Sequence, residues 1–182
     1  MRVGIVGAGS IAFGTAAFLE QQGHKAILWS PSGERTKALA AGEALTAQGA
    51  IEGTFHPSVA PNAGALVGDA EALVIALPAY GHKSVLDAIA PHVTPSQTVI
   101  FSSHASFGAL YLSRLLAGRG VTATIVAWGT TVVTGRQLDP TSVIVNTVRK
   151  RIDLATLPAS RSAAGFAVCQ ELFGDRFVDR AA

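Results

Sequence analysis

Cysteine is nearly absent from this chain. Cys169 stands alone among 182 residues, which excludes an internal disulfide framework and a cysteine-rich zinc site. Charge is also sparse. Asp, Glu, Lys and Arg make up 14% of the residues, hydrophobic types 49%, and the formal net charge is +2. So small a balance gives no electrostatic footprint for nucleic acid. The basic run Arg149-Lys150-Arg151 has no stacking aromatics beside it and reads as a solvated strand end. No apolar stretch approaches the roughly 20 residues of a membrane span, and the apolar start has no cleavage context that would mark a signal peptide. Neither nucleic acid nor membrane is expected as a partner, and the expected location is the cytoplasm. His24, His56 and His92 fall at turns and share no metal-ligand spacing. A G-x-S-x-G nucleophile elbow is missing too.

What the chain does have begins at its first residues. Met1-Arg2-Val3-Gly4-Ile5-Val6 is a short apolar strand, and it feeds Gly7-Ala8-Gly9-Ser10-Ile11-Ala12, a G-x-G-x-x-A turn. Gly7 supplies the tight turn. Gly9, without a Cβ, lets backbone approach a pyrophosphate, and Ala12 is small enough for the next helix to pack on the strand. The helix start offers free N–H groups and the positive end of its dipole to an anion. Ala12, Ala16 and Leu19 have helical spacing, Gln22-Gly23 stops the helix, and Lys25 to Trp29 forms a second strand. Together these make a βαβ unit.

The remainder alternates strands and helices, which predicts an α/β fold of Rossmann type with a mostly parallel, doubly wound sheet. A turn at Ser30 to Arg35 leads into a helix through about Ala47, and Ile51 to His56 is a short strand or loop. Ala72 to Leu77 is a strand buried on both faces and ended by Pro78. A helix from His82 to Ala90 stops at Pro91. Thr98 to Phe101 is a strand, Ala109 to Ala117 a helix and Thr124 to Ala127 a strand. From Thr130 to Leu157 the pattern is β-branched and alternating, with a turn at Asp139-Pro140. These segments read as added, partly antiparallel strands that extend the sheet. Ser160 caps a last helix to about Leu172, and Phe177-Val178 begins a further element. Cys169 lies in that helix as a small buried hydrophobe. The length suits one domain, residues 1–182.

A dinucleotide in such a fold spans the carboxyl ends of the strands. Its adenosine ribose would lie near the end of the second strand, where NAD-binding sites want an acid. Here Ser30 stands, followed by Ser32 and Arg35. Two hydroxyls and a guanidinium suit a 2′-phosphate, so NADP is the expected cofactor, with NAD the alternative because Glu34 can play the acid. The nicotinamide half would pass Leu77-Pro78-Ala79-Tyr80 and Ser102-Ser103-His104. His104 reads as a polar loop residue at the cofactor rather than an acid, and no residue is assigned a catalytic role.

The residues also carry a family resemblance. Gly7-Ala8-Gly9 with Gly23-His24 and Leu28-Trp29 looks like the shared start of glycerol-3-phosphate and opine dehydrogenases. Gly53-Thr54-Phe55-His56-Pro57, Leu77-Pro78-Ala79-Tyr80-Gly81-His82 and Asp153-Leu154-Ala155-Thr156-Leu157-Pro158-Ala159 are similar to the octopine/nopaline (opine) dehydrogenase family. The resemblance implies an oxidoreductase that condenses an amino acid with a 2-oxo acid, a nicotinamide cofactor delivering hydride to the C=N carbon. It also implies a helical C-terminal domain carrying the catalytic histidine and most substrate contacts. The chain is therefore expected to be the cofactor-binding half, with small substrates bound only alongside the second domain. Ser30, Ser103-His104 and Trp128 depart from the family pattern. Two other readings remain open: a stand-alone nucleotide-sensing module, and the cofactor domain of a glycerol-3-phosphate dehydrogenase or a ketopantoate reductase-like enzyme. Homo-oligomerisation is left open as well.

Overall fold

The structure is a computed structural model and describes residues 1–103 and 107–180. Its elements run β1 (Arg2–Val6), α1 (Ser10–Gln21), β2 (Lys25–Trp29), α2 (Lys37–Ala40), β3 (Leu45–Gly49), β4 (Gly53–Phe55), β5 (Ser58–Val59), α3 (Ala63–Asp69), β6 (Ala72–Ile75), α4 (His82–Ile89), β7 (Thr98–Phe101), α5 (Gly108–Ala117), β8 (Thr124–Trp128), β9 (Val133–Asp139), β10 (Ser142–Val148), β11 (Ile152–Leu157), α6 (Ser162–Phe173) and β12 (Phe177–Asp179). Eight strands form one sheet in the order β5-β2-β1-β6-β7-β8-β11-β12. From β5 to β8 every pairing is parallel. That is the doubly wound order, reversing direction between β1 and β6. β6 and β7 are buried along their whole length, because helices cover both faces of a parallel sheet. β11 pairs antiparallel with β8, and β12 runs parallel to β11.

The expected helix from the Ser30 turn to Ala47 does not form. A single 3-10 turn at Glu34–Thr36 and the four residues of α2 are all of it. Gly42 takes a left-handed φ of 96°, and β3 follows. There Leu45 and Ala47 are buried while Thr46 and Gln48 are exposed, the two-residue period of a half-covered strand. The extra strands after residue 130 also divide differently from expectation. Of the strands between Thr130 and Leu157, β11 alone joins the main sheet. β9 and β10 join β3 and β4 in a separate four-stranded sheet of order β4-β3-β10-β9. The Asp139-Pro140 turn does link β9 to β10, with the Asp139 carboxylate accepting from Thr141 N–H at 2.8 Å and from Ser142 Oγ at 2.6 Å.

The reason for the second sheet lies in α1. Residues Ala12 to Leu19 are all buried, so this helix has no polar face and needs cover on both sides. The main sheet supplies one side and the second sheet the other. Phe13, Leu45, Val133, Val143 and Val145 share one apolar cluster with β1 and β6. At Gly14 the approach is close: a Cβ there would lie 3.1 Å from Val133 Cγ2 and 3.5 Å from Val145 Cγ2.

The region 57–71, for which the sequence suggests no element, holds β5 and α3. Asn62 caps α3 by accepting from Ala65 N–H at 2.8 Å. Ser160 does not cap the last helix. It sits in a 3-10 turn, Ala159–Arg161, and α6 begins two residues later without a side-chain cap. Trp128, one of the departures from the family pattern, is fully buried. Its ring meets Phe173 edge-on at 4.9 Å between centroids, and its Nε1–H donates to Cys169 Sγ at 3.4 Å. Cys169 is the buried hydrophobe expected, and burial pushes its thiol up to about 12.

Two outcomes follow from this packing. Gly14→Leu should destabilise the fold by about 1–3 kcal/mol, the usual cost of overpacking, read as a lowered thermal midpoint. An unchanged midpoint would show that β9 and β10 are not held against α1. Cys169 should resist a thiol reagent at pH 8 in the native chain and react fully in denaturant; rapid native labelling contradicts the burial described.

Candidate functional site

The turn after β1 fixes the site. Gly7 has φ 139°, a backbone that side chains rarely adopt, and a Cβ there would collide with the Ala76 carbonyl. Its N–H donates to Trp29 O at the end of β2 (2.8 Å), and Ala76 N–H donates to Val6 O (2.8 Å). Three adjacent strands thus end together around one glycine.

Gly9 is different. It is the residue before α1, at φ −108° and ψ −175°, an extended conformation open to any residue. A Cβ there meets nothing within 4 Å. The fold itself does not require glycine at this position. α1 starts without a side-chain cap and without an acid in its first turn. Its first N–H groups are therefore uncommitted, and the dipole's positive end is not neutralised by the chain. Ala12 is fully buried, with its Cβ 3.5 Å from where a Gly7 Cβ would stand. It packs the helix onto the turn, as its size suggested.

These groups open onto a cleft of about 800 Å³ at the carboxyl ends of the strands. Of the residues singled out from sequence, Gly7, Gly9, Ser10, Ile11, Ser30, Ser32, Arg35, Leu77, Pro78, Ala79, Tyr80, Ser102 and Ser103 line it. Ala12 lies behind the lining, and His104 falls outside the described residues. Among the described residues, the buried Oγ atoms of Ser30 and Ser102 find no hydrogen-bond partner. Unmet polar atoms in lining residues mark places where a ligand can complete the bonding. Tyr80 is 91% exposed at the rim.

Sequence reading missed one wall. Thr131, Arg136 and Gln137 also line the cleft, and the last two lie on β9 of the second sheet. It also missed the support under the Leu77–Tyr80 loop. His82 opens α4 as expected, but its ring Nε2 lies 3.2 Å from Leu77 O. A carbonyl can only accept, so Nε2 carries the proton and, among the described residues, Nδ1 is left buried and unpartnered. The ring packs edge-on against Phe101 at 5.7 Å. Burial pushes the His82 imidazole below its ordinary value, opposed only in part by the Leu77 bond.

Among the described residues no cluster of His, Cys, Asp or Glu could hold a metal ion, and no helix is long and apolar enough to cross a membrane.

The chain is similar to proteins of known kind. Residues 3–158 match the family described as ketopantoate reductase PanE/ApbA. Over 169 residues it is 31% identical to an opine dehydrogenase of Arthrobacter sp. (strain 1C), covering 91% of this chain and 46% of that protein. Its fold matches an octopine dehydrogenase solved with NADH and agmatine, at TM-score 0.82 and 14% identity, over 98% of this chain and 48% of that one. It also matches a yersinopine dehydrogenase with NADP+ bound, at TM-score 0.77 and 21% identity, over 98% and 47% respectively. The chain spans about half the length of these relatives.

The His82 geometry sets a pH dependence. Its folded-state value is lowered, so the unfolded chain takes up that proton first. The stability it contributes is complete above about 6.5 and is lost as pH falls through the folded value. His82→Gln, which can keep the Leu77 bond, should therefore lose less thermal stability than the native chain on acidification. Equal acid-side slopes for the two proteins would refute this.

Proposed function

The chain belongs to the ketopantoate reductase PanE/ApbA family, and on that premise we propose that its cleft binds a nicotinamide adenine dinucleotide, NADP(H) in preference to NAD(H). One observation carries the reading. Gly9 is dispensable for the fold, yet its missing side chain keeps the space before an uncapped helix N-terminus open. That is the shape a pyrophosphate needs, held by the backbone N–H groups at the start of α1. The unpartnered Ser30 and Ser102 oxygens fit the same occupant at its two ends. Ser30, Ser32 and Arg35 would receive the adenosine ribose and its 2′-phosphate. Leu77, Pro78, Ala79, Tyr80, Ser102 and Ser103 would flank the nicotinamide half. The relatives solved with NADH and with NADP+ support a dinucleotide without deciding between the two.

When bound, the nicotinamide supplies a hydride. The residues of this chain orient the dinucleotide and keep water off one face; they are given no role in proton transfer. In this proposal the acceptor is a C=N carbon formed from an amino acid and a 2-oxo acid, as the 31% identity to an opine dehydrogenase supports. The groups that bind the acceptor would lie in a second, helical domain. The family match favours one alternative, reduction of a 2-oxo acid without an amine. In an enzyme carrying both domains, NADPH oxidation that requires the amino acid marks the first reading, and oxidation with the 2-oxo acid alone marks the second.

The two glycines separate fold from binding. Gly9→Ala should cost the fold less than about 1 kcal/mol, since only a helix-capping preference changes, while weakening NADPH binding at least about tenfold. Gly7→Ala should lower the thermal midpoint itself. Calorimetric titration and thermal melting on both variants read the difference. Unchanged NADPH affinity in Gly9→Ala would overturn the assignment of the pyrophosphate to this turn.

A further inference from the structure

We propose that Arg136, on the second sheet, determines cofactor choice by holding the 2′-phosphate of NADP(H) together with Arg35. This rests on the dinucleotide reading of the cleft and adds to it a residue from a separate part of the fold.

Arg35 belongs to the turn after β2, and Arg136 to the middle of β9. They are 101 positions apart, yet both line the same cleft with Ser30 and Ser32. A smaller hollow lined by Glu34, Arg35, Gln137 and Asp139 places the β9–β10 turn across from the Arg35 turn. The position of Arg136 is set by sheet pairing rather than by a loop. It lies opposite Ile144 on β10, and Ile144 lies opposite Gln48 on β3.

The charge balance of the cleft lining itself is positive. Among the described residues the ion pairs are Lys83 with Asp87 and Arg180 with Asp153, so neither Arg35 nor Arg136 is neutralised by a carboxylate. Asp139 lines the adjoining hollow rather than the cleft; its bonds from Ser142 and Thr141 hold its carboxyl below the usual range, so it stays a negative charge there. Glu34 is the one carboxylate in the lining. Two guanidiniums against one carboxylate attract a dianion. Guanidinium groups match phosphate oxygens two at a time, and Ser30, whose buried Oγ has no partner among the described residues, can rotate its hydroxyl toward the set. NAD(H) offers only a neutral hydroxyl here and draws no benefit from the second arginine.

The test is calorimetric titration of the native chain and of Arg136→Gln with NADPH, NADH, 2′,5′-ADP and 5′-AMP. Arg136 is exposed, so the variant should fold, which matching melting curves will check. Arg136→Gln should weaken NADPH and 2′,5′-ADP by about tenfold and leave NADH and 5′-AMP within about twofold. Arg136→Lys should recover part of the loss, because it keeps the charge but not the fork. Equal weakening of phosphorylated and unphosphorylated ligands would place Arg136 on the adenine ring instead and overturn the proposal. No change in any affinity would overturn it as well. Both results leave the dinucleotide reading standing, whereas failure of the native chain to bind either NADPH or NADH removes that reading and this one with it.

Discussion

Three strands converge on Gly7. Its N–H closes on the end of β2, its backbone lies against the Ala76 carbonyl after β6, and β1 ends beside it. Three walls of the cleft begin at these strand ends. The start of α1 leaves from Gly7, the Ser30–Arg35 turn from β2, and the Leu77–Tyr80 loop from β6. A side chain at this position would have to displace backbone from a buried parallel sheet, where there is no slack. It would also force a φ that L residues avoid. The site's geometry is therefore set by main chain, and the side chains only decorate it.

The second constraint is the burial of α1 on all sides. A helix with no polar face cannot lie on the surface of a domain, and the second sheet exists to cover it. That cover brings β9 to the mouth of the cleft and adds Thr131, Arg136 and Gln137 to its lining. A packing requirement of the core thus supplies a wall of the candidate site. His82 does something similar on the other side. It is a buried ring whose Nε2 holds the Leu77 carbonyl, steadying a loop that runs along the lining.

How far these features could be read from the chain depends on the range over which each is fixed. β1, β2 and β7 stand close to where their apolar runs place them, since a buried parallel strand is an unbroken apolar run. The glycine turn was legible because a positive φ and a close approach leave few residues to choose from. The segment from Ser30 to Ala47 was not. Leu39, Leu45 and Ala47 satisfy a helical and a strand pattern about equally over so short a stretch. One of the two partners that hold it as a strand, β10, lies about a hundred residues away; the other, β4, is the next strand in the chain. The two-residue alternation of β9 and β10 gave their conformation and their turn, but not the sheet they joined.

The sequence by itself determined the parallel α/β order, the βαβ start and the side chains after β2 that face the cleft, because each follows from local conformation or from apolar periodicity. Only the tertiary structure decided that β9 and β10 form a second sheet over α1, that Arg136 and Arg35 line one cleft, and that Gly9 serves no need of the fold. Those facts depend on which surfaces meet, and a pattern along the chain carries no record of its partner across space.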